Sequence, residues 1–310
     1  MTTTVDASKQ IRARAVEWRT VALIAVVYGT LGTLVWFHAQ LPWWLILPIG
    51  AYAAALQSSL QHEVLHGHPT RNRWINEFLI FLTPHFWLPY GRYRDTHLSH
   101  HKDLHLTDPL LDPESYYLLP DEWAKVRGVK RVLFTINQTL GGRMLIGPAI
   151  SVVRFWLTDW QSIFRGEWAI LRSWAVFAVS ATLSWIYIVI ICGMPFWQYI
   201  LLVAYPGVSL ALIRSFCEHQ AVENLGERTI IVEATPFWSL LFLNNNLHLA
   251  HHSRPGMAWY KLPAYYRAER QSIIATNNGY LMRGYREIFR RYFFTAKEPI
   301  AYPNTNWLKR

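Results

Sequence analysis

Cysteine and charge are both scarce in this chain. It carries two cysteines in 310 residues, Cys192 and Cys217, and the span assignments below set them at opposite ends of one membrane crossing. A disulfide framework is therefore excluded, because such a bond needs Cα atoms within about 7 Å. No CxxC-type iron–sulfur pattern is present either. Asp, Glu, Lys and Arg make up 16% of the chain against 52% hydrophobic residues, too little charge for an ordinary soluble domain. No repeat or low-complexity tract divides the sequence, so a single unit over residues 1–310 is expected. The charge that exists is uneven, with 30 Lys+Arg against 20 Asp+Glu and a net charge of +10. These basic residues fall mostly between apolar runs, which points to an anionic lipid surface and not to nucleic acid.

Long uncharged runs are abundant. Residues 20–37, 43–60, 174–192 and 197–213 each lack Asp, Glu, Lys and Arg, and each approaches the roughly 20 residues that a helix needs to cross a bilayer. The turns at 38–42 and 193–196 contain no Lys or Arg, whereas the arm Met1–Ala15, the segment 61–173 and the tail 214–310 hold nearly all of them. By the positive-inside rule both termini and the long segments face the cytoplasm. The expected fold is an all-α integral protein of the inner membrane: four transmembrane helices in two hairpins with a cytoplasmic helical cap. The first run lacks a convincing cleavage site and is expected to be a retained span. Pro206 and Gly207 predict a kink in the fourth. Two broken apolar stretches, Trp74–Tyr90 and Phe237–Leu243, are expected to be interfacial helices, and most tryptophans are read as an aromatic belt.

The thirteen histidines carry the functional signal through their spacing. His62 and His66 stand in HEVLH, His97, His100 and His101 in HLSHH, and His248, His251 and His252 in HLAHH. Residues three or four apart share a helix face, so each group is expected to converge on one point. Chance would place even one HxxHH triple in such a chain far less than once. Buried imidazoles without partners cost free energy, and a metal supplies the partner. The three groups are separated by an even number of crossings, so they reach the same side. Eight nitrogens exceed what one ion takes, hence two ions are expected. The apolar setting and the lack of a hydrolytic nucleophile favour a redox metal, for which paired iron is suited. A metal transporter would instead spread ligands along the spans at bilayer depth, and the spans are nearly free of them. His38 and His85, standing alone, are read as structural.

The stretches HEVLHGH, PYGRYRDTHLSHHKDLH and NNNLHLAHHSRP closely resemble the three histidine boxes of the membrane fatty acid desaturase and hydroxylase superfamily in its compact bacterial form. The resemblance runs from about the second span to Leu262. It implies a non-haem di-iron site that uses O2 and two electrons to oxidise an aliphatic chain, most simply by desaturating a fatty acyl chain. Hydroxylation or ketolation of a carotenoid-like or other apolar substrate is the alternative it allows. The ligands it implies are His62, His66, His97, His100, His101, His248, His251 and His252, with His219 after the last span as a ninth. Ser215 stands where some relatives have an Asn that holds a water near a metal; Asn244, Asn245 or Asn246 is the candidate substitute. His68 falls off the helical face of its box, and His105 either extends the face of His101 or is exposed. Glu63, Asp95, Asp103, Glu218 and Glu223 are candidate acceptors for ligand N–H groups. The DPLLDPESYY segment is either a loop closing the site or a connection. With no haem or iron–sulfur ligands to spare, electrons are expected from a separate ferredoxin, rubredoxin or cytochrome-type donor.

Overall fold

A computed structural model describes residues 16–102 and 105–303, so the basic N-terminal arm and Asp103 lie outside the described residues. The described chain is mostly helical, with two strands of two residues each, Ile231–Val232 and Leu281–Met282, paired in parallel. Three helices are long and apolar enough to cross a membrane: Trp18–Trp36, Ala169–Ile191 and Phe196–Glu218. The second expected span forms a helix of 23 residues, Trp43–Leu65. It runs past residue 60 into Gln61, His62 and Glu63, which makes its last turns polar and places His62 inside the helix.

Close packing between this helix and Phe196–Glu218 depends on small residues. A Cβ on Gly50 would lie 2.8 Å from Val203, and one on Gly207 would lie 2.6 Å from Ala54. Among lipid-embedded helices no hydrophobic force favours protein over lipid tails, so close van der Waals approach at Gly and Ala has to drive association. At Pro206, where the sequence predicts a kink, the structure shows a local change of helix type. Residues Ile200–Ala204 widen into a π-helical turn immediately before Tyr205–Glu218, which relieves the clash between a proline ring and the carbonyl four residues back.

One segment departs from expectation. The sequence predicts an interfacial helix over 74–90, but the helix covers only Arg73–Leu79, started by Asn72, whose side chain accepts from the backbone N–H of Trp74 at 2.9 Å. Pro84 and Pro89 forbid its continuation. Residues 80–89 instead run as irregular chain in among the long apolar helices, and Ile80, Thr83 and His85 are buried. Such backbone is tolerated there only if protein groups satisfy it. The Tyr28 hydroxyl donates to the Leu82 carbonyl at 2.7 Å, Ser180 to that of Phe81 at 2.5 Å and Tyr199 to that of Pro84 at 2.9 Å. Ser180 also accepts from Thr83 N–H at 3.1 Å, and the Trp156 indole donates to the Trp87 carbonyl at 2.6 Å. Phe237–Leu243 does contain a helix, Pro236–Leu241, with Phe237 and Leu240 exposed. Both cysteines are free thiols.

Candidate metal centre

Each histidine box sits on helical backbone. His62 lies in the last turn of Trp43–Leu65 and His66 caps it. His97, His100 and His101 belong to Tyr90–Lys102, and His248, His251 and His252 to the short helix His248–Ser253. His219 follows directly after Glu218, where the last long helix gives way to extended chain. The strand region joins these last two: Leu249 N–H donates to the Ile230 carbonyl at 3.1 Å and Val232 N–H to that of Asn246 at 2.9 Å.

All nine expected ligands gather into two groups. His62, His66, His97, His101 and His251 form one; His100, His219, His248 and His252 form the other, and within each the nitrogen atoms lie within 4.8 Å of one another. The boxes therefore do not each converge on one point, as the spacing alone suggested. Helical residues turn by about 100° each, so neighbouring His100 and His101 diverge, while i,i+4 pairs differ by only about 40°. Thus His97 and His101 serve one group with His100 turned to the other, and His248 and His252 serve one with His251 turned away.

The nitrogen positions fit two cations. In the second group the Nε2 atom of His219 is 3.1 Å from those of both His100 and His248, and the Nε2 atoms of His248 and His252 are 3.2 Å apart. One ring N–H cannot donate to two neighbours, whereas imidazole nitrogens about 2.1 Å from a shared ion and near right angles lie about 3 Å apart. In the first group the Nε2 atoms of His101 and His251 are likewise 3.1 Å apart. Those of His66 and His97 are buried with no hydrogen-bond partner, an orphaning that costs about 1–3 kcal/mol per atom unless a cation meets it.

The outward nitrogens are held by protein acceptors. His97 Nδ1 lies 2.8 Å from a Glu114 oxygen, and His100 Nδ1 lies 2.9 Å from Asp112. His248 Nδ1 lies 2.9 Å from the Asn245 side-chain oxygen and His219 Nδ1 lies 3.2 Å from the Thr229 hydroxyl. A proton fixed on Nδ1 leaves the Nε2 lone pair facing the centre. Asp112 is itself fixed, accepting from Thr107 N–H at 2.7 Å and Glu114 N–H at 2.9 Å. Asp112→Ala is expected to weaken metal binding by about 10–100-fold, measured by chelator competition. Unchanged affinity would show that Asp112 only shapes its loop.

Sequence reasoning missed Glu114, Asp112 and Thr229, although the carboxylate-rich DPLLDPE stretch was the visible signal for two of them. Among the expected acceptors, Asp95 is paired with Arg94 at 2.7 Å and half exposed, so it holds no ligand. Glu63 accepts from Trp259 N–H at 3.2 Å. Glu218 pairs with Arg214 at 2.9 Å and lies 3.6 Å from His248 Nδ1, a looser contact than Asn245 makes. Asn245 is the asparagine that reaches the centre, its amide nitrogen also 3.3 Å from His62 Nε2. Asn244 bonds to the Trp259 carbonyl and Asn246 to that of Val232, while the Ser215 hydroxyl is spent on the Leu212 carbonyl. His68 stands outside both groups with its Nδ1 2.9 Å from Glu17, and His105 is exposed.

Protonation of the rings depends on their surroundings. Burial, then the neighbouring rings His97 and His101, push His66 down to about 2, and burial with His97 and His100 takes His101 to about 3. Burial also lowers His219, His248, His251 and His252. His100 moves the other way: burial opposes its protonation, but Glu114 and Asp112 outweigh it and raise the ring to about 9. An unfolded histidine titrates near 6.5, so below that pH the unfolded chain binds protons that the six lowered rings refuse. The His100 contribution has the opposite sign, complete below about 6.5 and lost as pH rises through about 9. Metal-free protein is therefore expected to lose stability on acidification from about pH 7 to 5.5, by at most about 1.4 kcal/mol per ring per pH unit. A melting temperature that rises over that interval would contradict this balance.

The family model described as fatty acid desaturase matches residues 39–284, a stretch that contains all nine histidines. No curated protein matches the chain.

Proposed function

Because the chain belongs to the fatty acid desaturase family, we propose that it desaturates a fatty acyl chain at a histidine-ligated di-iron centre. The observation that supports this reading is the division of nine imidazoles between two adjacent buried groups of five and four. Bound iron supplies the oxidising power that an unactivated C–H bond requires. In balance, one CH2–CH2 unit, O2, two electrons and two protons give one CH=CH unit and two waters.

The protein's own part is positioning. Glu114, Asp112, Thr229 and Asn245 hold four of the rings in one tautomer. Burial of His62, His97, His100, His248 and His251 keeps bulk water from the nitrogens. No side chain is needed as nucleophile or base.

Trp43–Leu65 is the remaining span in this reading, giving four in two hairpins, with the histidine groups and both termini on the cytoplasmic side of the inner membrane. The chain 1–310 works as one domain among membrane lipids, with an apolar acyl or lipid substrate. Electrons come from a separate ferredoxin, rubredoxin or cytochrome-type protein. The exposed Arg254, Lys261, Arg267, Arg283, Arg286 and Arg290 would steer an acidic donor by long-range attraction.

Mass spectrometry of lipids from cells expressing the protein tests the reaction. The expected product is two mass units lighter than its precursor. A product heavier by one oxygen would replace desaturation with hydroxylation, and unchanged lipids beside a metal-loaded enzyme with a competent donor would remove the acyl substrate.

A further inference from the structure

A cavity of about 280 Å³ opens beside the loop that follows His219, and none of the nine histidines lines it. Its walls come from the loop after His219, from Tyr280 and Tyr292, and from the strap 297–303. The strap is tied down beside Tyr117: Leu118 N–H donates to the Ile300 carbonyl at 3.0 Å and Tyr302 N–H to that of Leu118 at 2.9 Å. Nothing in the proposed oxidation uses this space.

Its polar groups are under-used for their burial. Lys297 is 7% exposed; its ammonium donates to the His219 carbonyl at 2.5 Å and lies 3.6 Å from Glu298. The Tyr117 hydroxyl is buried with no partner, as is the second carboxyl oxygen of Glu298. Tyr280 offers its ring alone, since its hydroxyl already donates to the Cys217 carbonyl at 3.1 Å. A lysine has three N–H donors, so two remain beyond the one given to His219.

These features discriminate among ligands. A wholly apolar guest would leave the Tyr117 hydroxyl and the Glu298 oxygen unpaired, at about 1–3 kcal/mol each. A cation would meet the Lys297 ammonium 3.6 Å from Glu298, the one carboxylate among the described residues that line the cavity, and be repelled. An anion uses the spare Lys297 donors and the Tyr117 O–H, and burial raises Glu298 to about 8, which lets its carboxyl donate as well near neutral pH. The rings of Tyr280 and Tyr292, with Pro299 and Pro303, would cover a short apolar body behind the charged head.

We propose that this cavity is a binding site for a small organic anion, with a carboxylate or phosphate head held by Lys297 and Tyr117. The site goes beyond the oxidation reading, and its test requires no turnover.

Calorimetric titration of butyrate and of inorganic phosphate into the metal-loaded full chain in detergent provides the test, with butylammonium as control. Saturable binding of at least one anion is expected, along with none of the amine. Butyrate alone would identify a carboxylic acid as the ligand type, and phosphate alone a phosphate-bearing one. Lys297→Met should weaken binding by at least about tenfold, and Lys297→Arg by much less. Should Lys297→Met fail to fold, Tyr117→Phe decides. It removes a hydroxyl that has no partner in the empty cavity, so thermal stability should hold or rise while anion affinity falls about threefold or more. Absence of binding by both anions, binding of the amine, or wild-type affinity in both Lys297→Met and Tyr117→Phe would overturn the proposal.

Discussion

His219→Ala is expected to reduce activity by more than about a thousandfold and to take metal content from two ions per chain towards one. The reasoning rests on the unequal groups. The second has four nitrogens, and His219 Nε2 stands between two of the others, 3.1 Å from both His100 and His248. Removing it leaves three ligands and a gap at their middle, whereas His66→Ala would leave four nitrogens around the first position. Loss of about 4 kcal/mol in metal binding corresponds to the thousandfold, a modest fraction of what buried imidazole sites supply. His66→Ala should keep more metal and more activity. Metal analysis of both purified variants, alongside product formation, checks the ordering. Two ions retained in His219→Ala would remove His219 from the ligand set.

Much of this centre was legible in the sequence because its information is local. Periodic histidines on helices announce a shared face, but the spacing alone pointed each box at one centre; the division into two groups comes from the 100° step that separates His100 from His101 and His251 from His252. The acceptors behind the rings were harder to read. Asp112 and Glu114 lie 12 and 17 residues from the histidines they hold, and only the folding back of an irregular loop brings them there. Asp95 is nearer in sequence but is taken by the adjacent Arg94. The same holds for the spans. Uncharged runs placed the long helices, and the helices outran them where helical structure continued into polar sequence, at Gln61–Glu63, at Arg214–Glu218 and back to Ala169. The course of residues 80–89 was not legible, since it depends on hydroxyls from Tyr28, Ser180 and Tyr199 on three other helices.

The box-two helix is anchored by one buried ion pair, and breaking it should have the largest effect on stability of any change outside the histidines. Arg92, five residues before His97, donates to both carboxyl oxygens of Asp159 at 3.0–3.1 Å. Asp159 is 1% exposed on the helix Gly147–Phe164, and it also accepts from the Trp174 indole at 2.9 Å. One carboxylate thus joins the helix of the second box to two others. Next to it, a Cβ on Gly91 would come within 2.6 Å of the Ser173 hydroxyl, so the helices are in close contact there. Asp159→Ala would strand a largely buried guanidinium and a buried indole N–H together, at a cost of about 3–5 kcal/mol. Asp159→Asn keeps an acceptor and should cost roughly half as much. Thermal unfolding measures the first effect, and metal retention at fixed chelator concentration measures whether the loss reaches His97, His100 and His101. If Asp159→Ala melts like the parent protein, the pair does not anchor the helix. If it melts lower but keeps both ions, the histidine groups are held by their own acceptors, and the Arg92–Asp159 clamp serves the helix packing alone.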